Sequence, residues 1–264
     1  MKVLAIGDIF GNPGRKAVQE CLHKIIDKSH VDIVVANGEN IAGGFGMTVE
    51  YVRELFDLGV HVVTGGNHTW DKPEIFPMLD KEPRLLRPAN YPDGNPGHGT
   101  VIVETAGGIK VGVINLEGRV FMPTACGDPF RAADACVADL TKKGAKVILL
   151  DFHAEASSEK RAMGWHLDGR ISFQWGTHTH VPTADPWVLP KGTAYVTDVG
   201  MSGPDESVIG MRVDDVLKRF LSGHHVRLEV GKRWPVFRSV LCDIDEETGK
   251  ARSIERVDVR LPDT

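Results

Sequence analysis

The sequence lacks any marked cluster of lysine and arginine, and its 31 basic residues are outnumbered by 36 acidic residues. The formal net charge of the 264-residue chain is therefore −5. Proteins that hold nucleic-acid polymers by the phosphate backbone need a basic surface. The composition thus argues against a long nucleic-acid polymer as the partner of this protein.

Cysteine is also scarce, with four residues and no C-x-x-C pair. This spacing argues against a cysteine-based zinc site and against a thioredoxin-like redox motif. Cys21 and Cys136 fall on apolar faces of predicted helices. Such positions are typical of buried thiols in a reducing compartment.

The chain has no apolar run of the roughly 18 residues that a membrane-spanning helix needs. The N-terminal run MKVLAIGDIFG is short and is interrupted by Asp8, which is typical of a strand and not of a signal peptide. The hydrophobic fraction of 42% and the charged fraction of 25% are those of a globular protein. We therefore expect a cytoplasmic protein without a membrane partner, formed by a single domain over residues 1–264.

Hydrophobic patterning predicts alternating strands and helices in the first third of the chain. Short apolar runs at 3–7, 31–38 and 60–66 are typical of strands buried on both faces. After the first strand, Asn12 and Pro13 are expected to be the N-cap and the first residue of a helix. After the second strand, Thr48 is expected to cap a helix that Gly59 ends.

The rest of the chain predicts two hairpins, two helices and further strands. The expected hairpins join 100–105 to 109–115 and 187–190 to 193–200, and the expected helices run from near Asp128 to Gly144 and over 213–221. Other strands are expected at 145–153 and 172–180, and a β meander is expected near the end. The pattern predicts an α/β fold with sheets in the core and helices outside.

Polar side chains that bind metals well follow the ends of five predicted strands. They are Asp8, then Glu39 with Asn40, then Asn67 with His68, then His153, and finally His178 with His180. In open α/β sheets the carboxyl ends of the strands share one edge, and ligands bind there. We therefore expect these groups to converge although they are distant in sequence.

Each of these residues alone is weak evidence. An Asp after a strand is often a helix cap, and an Asn in the position of Asn67 is often a turn residue. The pair His178 and His180 is more specific, because an extended H-x-H segment places both imidazoles on one face. The strongest signal is the ordered set of all five groups.

In this order the motifs resemble the calcineurin-like metallophosphoesterase superfamily, which arranges D-x-H, G-D, G-N-H, H and G-H-x-H blocks around two metals. Within it, the chain is most similar to the bacterial YmdB-like phosphodiesterases. The resemblance rests on GDIFGNPGR, NGENIAGGFG, GGNHTWD, DFHAE and GTHTHVPTAD, and it covers nearly the whole chain. It implies a metallophosphoesterase fold, in which two packed mixed β-sheets are flanked by α-helices.

Two positions depart from the superfamily pattern. Phe10 stands where the first block has its histidine, and Glu39 stands where the bridging aspartate is usual. Asn40 lies beside Glu39, and its side-chain oxygen can replace the missing imidazole as a ligand. The YmdB-like group shares both departures, so they do not by themselves imply an inactive enzyme.

The resemblance implies a pair of divalent metals. By the family pattern, one metal takes Asp8, Glu39, Asn40 and His180, and the other takes Glu39, Asn67, His153 and His178. Imidazole, carboxylate and amide ligands without a thiolate suit iron or manganese, with zinc as a further option. Metals about 3.5–4 Å apart can clamp both oxygens of a phosphoryl displacement, and a hydroxide that bridges them is the expected nucleophile.

His68 follows a predicted metal ligand, and the resemblance makes it the catalytic acid that protonates the leaving oxygen, or a donor to the phosphoryl oxygens. A purely structural histidine is the alternative. The glycines of the segment 43–46 can let backbone approach the substrate, and a plain flexible loop explains them equally well.

Three functional hypotheses follow: a dinuclear metal phosphodiesterase, a phosphomonoesterase on the same site, and a nucleotide-sensing regulatory protein with little turnover. Loss of the first-block histidine at Phe10 favours the third, and the family resemblance favours the first.

The five motif blocks contain Arg15 as their only lysine or arginine, which suits a small substrate with one phosphate charge. The resemblance points to 2′,3′-cyclic nucleotides, and a homo-oligomer remains open. A Rossmann cofactor enzyme is disfavoured, because GDIFGNPG lacks the G-x-G-x-x-G spacing.

Overall fold

Two β-sheets face each other in a computed structural model that describes residues 1–263, and helices cover their outer faces. The first sheet has the strand order β13-β12-β1-β2-β3. Its strands are β1 (Lys2–Ile6), β2 (Ile33–Asn37), β3 (Val62–Thr64), β12 (Ser239–Ile244) and β13 (Ala251–Arg256). The first three strands are parallel, so their carboxyl ends lie at the same edge, and β12 runs antiparallel to β1.

The second sheet has the strand order β4-β5-β6-β7-β9-β8. Its strands are β4 (Thr100–Glu104), β5 (Lys110–Glu117), β6 (Val147–His153), β7 (Phe173–Thr177), β8 (Trp187–Val188) and β9 (Ala194–Val196). The strands β5, β6, β7 and β9 are parallel, whereas β4 and β8 pair antiparallel at the two edges.

Helices and a small third sheet complete the fold. The helices are α1 (Gly11–Ser29), α2 (Val49–Asp57), α3 (Phe76–Lys81), α4 (Pro129–Lys142), α5 (Ser157–Leu167) and α6 (Val213–Ser222), and a 3-10 turn (Pro73–Ile75) precedes α3. The third sheet contains β10 (Gly203–Pro204), β11 (Pro235–Phe237) and β14 (Val259–Arg260).

The alternation of side chains along each strand divides the core into layers. In β1, Val3 and Ala5 face the second sheet and join its residues in one cluster, whereas Leu4 and Ile6 face the side covered by α1 and α2. The outer face of the second sheet packs against α4 and α5 in the same way. Central strands that are buried on both faces explain the continuous apolar runs of the sequence.

The predicted α/β fold with two packed mixed sheets and flanking helices is confirmed. Both predicted hairpins are present, and the helix predicted over 213–221 is α6. Thr48 caps α2 by accepting a hydrogen bond from the Tyr51 amide, and Asp128 caps α4. The helices α3 and α5 were not predicted.

The predicted start of the first helix is wrong by a short distance. The helix α1 begins at Gly11, and the N-cap position is Phe10, whose side chain offers no capping oxygen. Gly11 has a φ of 55°, and its amide donates to the Asn40 carbonyl, which ties the start of the helix to the segment after β2. Asn12 is therefore inside the helix, where its side chain accepts from Arg15.

None of the four cysteines forms a disulfide. Cys21 is buried, whereas Cys136 is only partly buried against the core beneath α4. Within residues 1–263, no helix combines the length and the apolar character needed to cross a membrane.

Candidate active site

The five predicted strand ends converge, but they come from two sheets and not from one edge. Asp8, Glu39 with Asn40, and Asn67 with His68 follow β1, β2 and β3 of the first sheet. His153 ends β6, and His178 and His180 follow β7 of the second sheet. Because the sheets pack face to face with both sets of parallel carboxyl ends at the same side, the two groups meet there.

His153 lies at the centre of the first ligand group. Its Nε2 is 3.1 Å from a Glu39 carboxylate oxygen, 3.0 Å from Asn67 Oδ1 and 3.1 Å from His178 Nδ1. The ligand atoms of Glu39, His153 and His178 all lie within 4.8 Å of one another. An imidazole nitrogen carries at most one hydrogen and cannot form hydrogen bonds with all three neighbours at once. A cation placed among these atoms could be bound by all of them.

The second ligand group contains Asp8, Asn40 and His180. His180 Nε2 is 3.3 Å from Asn40 Oδ1 and 3.8 Å from Asp8 Oδ1. The Asn40 amide nitrogen donates to the Gly44 carbonyl at 2.9 Å, which leaves its Oδ1 directed at the site. His180 Nδ1 is 2.9 Å from the Ile209 carbonyl, so it donates there and Nε2 keeps its lone pair for a ligand bond.

The ionisable side chains of the site are largely shielded from solvent. Asp8, Glu39 and His153 are all buried. Burial opposes ionisation of Glu39, but the neighbouring His153 outweighs it and lowers the Glu39 pKa to about 2. Burial likewise disfavours the His153 cation, yet Glu39 and Asp8 raise its pKa to about 9. For Asp8, burial dominates and raises the pKa, whereas burial and His153 together lower the His178 pKa to about 3.

The donor set fits divalent metals. It combines buried carboxylates, side-chain amide oxygens and imidazole nitrogens, and it contains no thiolate. The two carboxylates and the crowded nitrogen atoms would otherwise be poorly compensated inside the protein. All seven residues predicted as ligands lie in these two adjoining groups.

A chain of buried side chains orients His153. Its Nδ1 is 2.9 Å from Thr177 Oγ1, and the Thr177 hydroxyl donates to Asp151 at 2.7 Å. Because the hydroxyl hydrogen is used on Asp151, the oxygen accepts from His153 Nδ1 and leaves Nε2 free for the site. Asn37 also donates to Asp151 at 3.2 Å. These supporting residues were not predicted, although Asn37, Asp151 and Thr177 all lie within the motif blocks.

The H-x-H segment is not extended, so the geometric argument for its two imidazoles was wrong. His178 and His180 have φ values of 97° and 65°, in the left-handed region. The segment turns because the His178 amide reaches back to the Asp8 carboxylate at 3.2 Å. Both side chains still reach the site, one to each ligand group.

His68 lies beside the ligands and has its own carboxylate partner. Its backbone amide donates to Glu39 at 3.0 Å, and its Nδ1 is 2.7 Å from Asp71 Oδ2. The ring of Phe45 packs edge-on against the imidazole at a centroid distance of 5.1 Å. Asp71 was missed, although the GGNHTWD block contains it and its i+3 position in a turn is a readable signal.

A pocket of about 590 Å³ opens over both ligand groups. Its polar lining includes Glu39, Asn40, His68, His178, His180 and Glu155, and its other lining residues include Phe10, Phe45, Val181, Ile209, Met211, Leu228 and Arg219. Glu155 lies 3.2 Å from His178 Nε2, so a second carboxylate orients a predicted ligand. Gly44 also lines the pocket, which brings part of the glycine segment to the site.

Phe10 is a packing residue at the position of the missing histidine. It is buried in a small cluster with Met201, Met211 and Val216 of α6. Its ring meets the His180 ring edge-on at 5.3 Å. The aromatic ring thus joins α6 to the site and supports a ligand in place of being one.

Comparison with known proteins decides the family. The model of the YmdB-like protein family matches residues 4–257. The chain belongs to the YmdB-like family. The resemblance read from the motif blocks is therefore confirmed. A Bacillus subtilis (strain 168) protein named 2′,3′-cyclic-nucleotide 2′-phosphodiesterase is 48% identical over 257 residues, which are 97% of this chain and 96% of that protein.

Two solved structures with chains of similar length share the fold. A hypothetical protein from Thermus thermophilus superposes with a TM-score of 0.92 at 41% identity, over 99% of this chain and 100% of that chain. A structure described as a novel phosphatase from Mycoplasma pneumoniae has a TM-score of 0.92 at 33% identity, over 98% and 93% of the two chains. The prediction of a phosphoric diester hydrolase agrees with the name of the Bacillus protein.

Proposed function

We propose that the chain hydrolyses small phosphodiesters, with 2′,3′-cyclic nucleotides as the leading substrates. The observation that carries the proposal is the convergence of Glu39, His153 and His178, of which Glu39 and His178 line the pocket. The name of the Bacillus subtilis relative supports the same substrate class. Both halves of the chain contribute ligands, which favours a single metallophosphoesterase domain.

We propose two divalent metals, iron or manganese with zinc as a further option, in the two ligand groups. Asp8, Asn40 and His180 would hold one, and Asn67, His153 and His178 would hold the other. Glu39 would be shared, because its Oε1 lies 3.1 Å from His153 of one group and it is adjacent in sequence to Asn40 of the other. When bound, such metals supply positive charge for the phosphoryl oxygens and an activated water.

The residues of the chain have separate tasks in this account. His68 gives a proton to the leaving oxygen, and Asp71 orients its imidazole through Nδ1. Glu155 and Thr177 fix the rings of His178 and His153, so that their ligand nitrogens face the site. The apolar side chain of Phe45, 43% exposed beside His68, offers a surface for a nucleobase.

A cyclic diester suits this site because its leaving oxygen stays tethered to the ribose. Fewer positioning contacts are then needed to hold the reacting groups in line. A phosphomonoesterase is the second candidate, since the similar Mycoplasma pneumoniae structure is described as a phosphatase.

The test is a comparison of kcat/KM for metal-loaded protein on three substrates. They are adenosine 2′,3′-cyclic phosphate, bis-p-nitrophenyl phosphate and p-nitrophenyl phosphate. The proposal predicts that both diesters are hydrolysed more efficiently than the monoester. A monoester rate above that of every diester would establish the phosphatase in its place.

A further inference from the structure

Arg219 is an exposed residue of α6 that lines the active-site pocket. Of the described residues that line this pocket, it is the only lysine or arginine. The motif blocks do not reveal Arg219, because α6 lies outside all of them. The pocket therefore contains one fixed cation that the predicted chemistry does not use.

The guanidinium of Arg219 has no partner among residues 1–263: no hydrogen bond or ion pair joins it to any of them. In particular, no carboxylate oxygen lies within 4.0 Å of its nitrogens, so neither Glu39 nor Glu155 compensates it. Glu155 is instead engaged with His178. The charge of Arg219 is thus available for an anion in the pocket.

The packing of α6 directs this residue toward the site. Val216, three residues earlier, is buried against Phe10 and Met211. Residues three apart share a helix face, so Arg219 stands on the face that packs toward Phe10 and His180. Lys218 is its immediate neighbour, is also exposed, and does not line the pocket.

The rest of the lining explains why the anion would be part of a larger substrate. Phe45, Val181 and Leu228 line the pocket with apolar surface, which suits a nucleoside. The reacting phosphate belongs to His68 and the predicted metal ligands, and no hydrogen bond or ion pair joins Arg219 to any of these described residues. A planar guanidinium matches a phosphate through two parallel hydrogen bonds.

We propose that Arg219 binds a second phosphate of the substrate. The substrate class is then a nucleotide or short RNA end that carries a phosphate at its 5′ side as well as the 2′,3′-cyclic phosphate. This inference rests on the proposed phosphodiesterase function. A single arginine serves one extra phosphate, so the absence of a basic track in the sequence is no obstacle.

An alternative task for Arg219 is to offset the carbonyl groups at the end of α6, since it lies in the last turn. Lys218 lies next to it near the same helix end and is exposed, so it is a matched control. If Arg219 served only helix stability, the two alanine variants would show the same preference for the 5′-phosphorylated compound. If Arg219 binds the substrate, only Arg219→Ala would lose that preference.

The experiment compares adenosine 2′,3′-cyclic phosphate with the same compound bearing a 5′-phosphate, using metal-loaded wild type, Arg219→Ala and Lys218→Ala. Wild type and Lys218→Ala should prefer the 5′-phosphorylated compound by about three- to tenfold, through KM and not kcat. In Arg219→Ala that preference should fall to about one. Calorimetric binding of adenosine 3′,5′-bisphosphate against adenosine 3′-monophosphate should show the same difference without turnover.

Two failures are distinguishable. If wild type hydrolyses neither cyclic compound nor bis-p-nitrophenyl phosphate, the proposed function fails. If wild type hydrolyses them without preference for the 5′-phosphate, or if Arg219→Ala keeps the preference, the assignment of Arg219 is overturned while the proposed function stands. Melting temperatures of both alanine variants close to that of wild type show that both are folded.

Discussion

Asp198 accepts hydrogen bonds from both the backbone amide and the hydroxyl of Thr179, at 3.3 and 2.8 Å. Thr179 stands between His178 and His180, whose backbones are both left-handed. The same carboxylate pairs with the buried Lys160 ammonium at 2.6 Å. A buried ion pair thus holds the turn that presents one histidine to each ligand group.

Replacing Asp198 by Asn should therefore lower both stability and metal affinity. The change leaves the Lys160 ammonium buried without a counter-charge, which costs about 3–5 kcal/mol of unfolding free energy. Urea unfolding measures the loss of stability, and titration with metal measures the affinity. Asp139→Asn is the matched control, because its ion pair with Lys143 is exposed and should be worth about 1 kcal/mol or less. Equal effects of the two substitutions would show that Asp198 has no special role.

The pairing of His68 with Asp71 predicts a loss of turnover without a loss of metal. His68→Ala should lower kcat by on the order of 10²–10⁴-fold if the imidazole protonates the leaving oxygen. The loss should be smaller for nitrophenolate, which leaves without needing a proton. Asp71→Asn keeps a partner for Nδ1 but removes its charge, so a smaller loss in kcat is expected. If good and poor leaving groups lose equally, His68 is a positioning residue and not the acid.

The Asn40 side chain should matter for one metal more than for the other. Its Oδ1 faces His180, while its amide nitrogen is fixed on Gly44. Asn40→Ala should weaken metal binding in that group and spare the group around His153, which two-site titration would resolve. Asn95→Ala is the control, because that amide also donates to a backbone carbonyl but lies in an exposed loop. Metal-bound coordinates with Asn40 Oδ1 away from every ion would contradict the assignment.

Metal uptake should become stronger as pH rises. The His153 pKa is raised to about 9 in the metal-free protein, above its ordinary value of 6.5, through Glu39 and Asp8 and against the effect of burial. Below that pH the imidazole carries a proton that a metal must displace, so affinity should rise about tenfold per pH unit and level off above pH 9. Calorimetry in buffers of different ionisation enthalpy should detect release of about one proton at pH 7. The absence of proton release at pH 7 would contradict a protonated His153 in the metal-free protein.

Much of the site was predictable because strand ends are readable in sequence. Short apolar runs ended at Asp8, Glu39 and His153, and parallel strands place such ends at one side of a fold. What no strand pattern reveals is that two sheets supply them. The left-handed turn at His178 was also not readable, because it depends on a carboxylate 170 residues away.

Other features were missed for physical reasons specific to their position. The helix α5 has few apolar residues to give a helical period, and it includes the buried Lys160 and Glu159, which local patterning reads as exposed. Phe10 looked like a lost ligand, because its packing against Met211 and Val216 joins segments far apart in the chain. Arg219 was hidden for the same reason, since only the tertiary position of α6 brings it to the pocket.

The most direct test of the account is elemental analysis of wild type and Glu39→Gln, paired with turnover of bis-p-nitrophenyl phosphate. Glutamine preserves the shape of Glu39 but removes the charge that the two ligand groups would share. The account predicts two metals per wild-type chain, loss of at least one metal in the variant, and loss of most activity. A variant that kept two metals and near-normal turnover would contradict it.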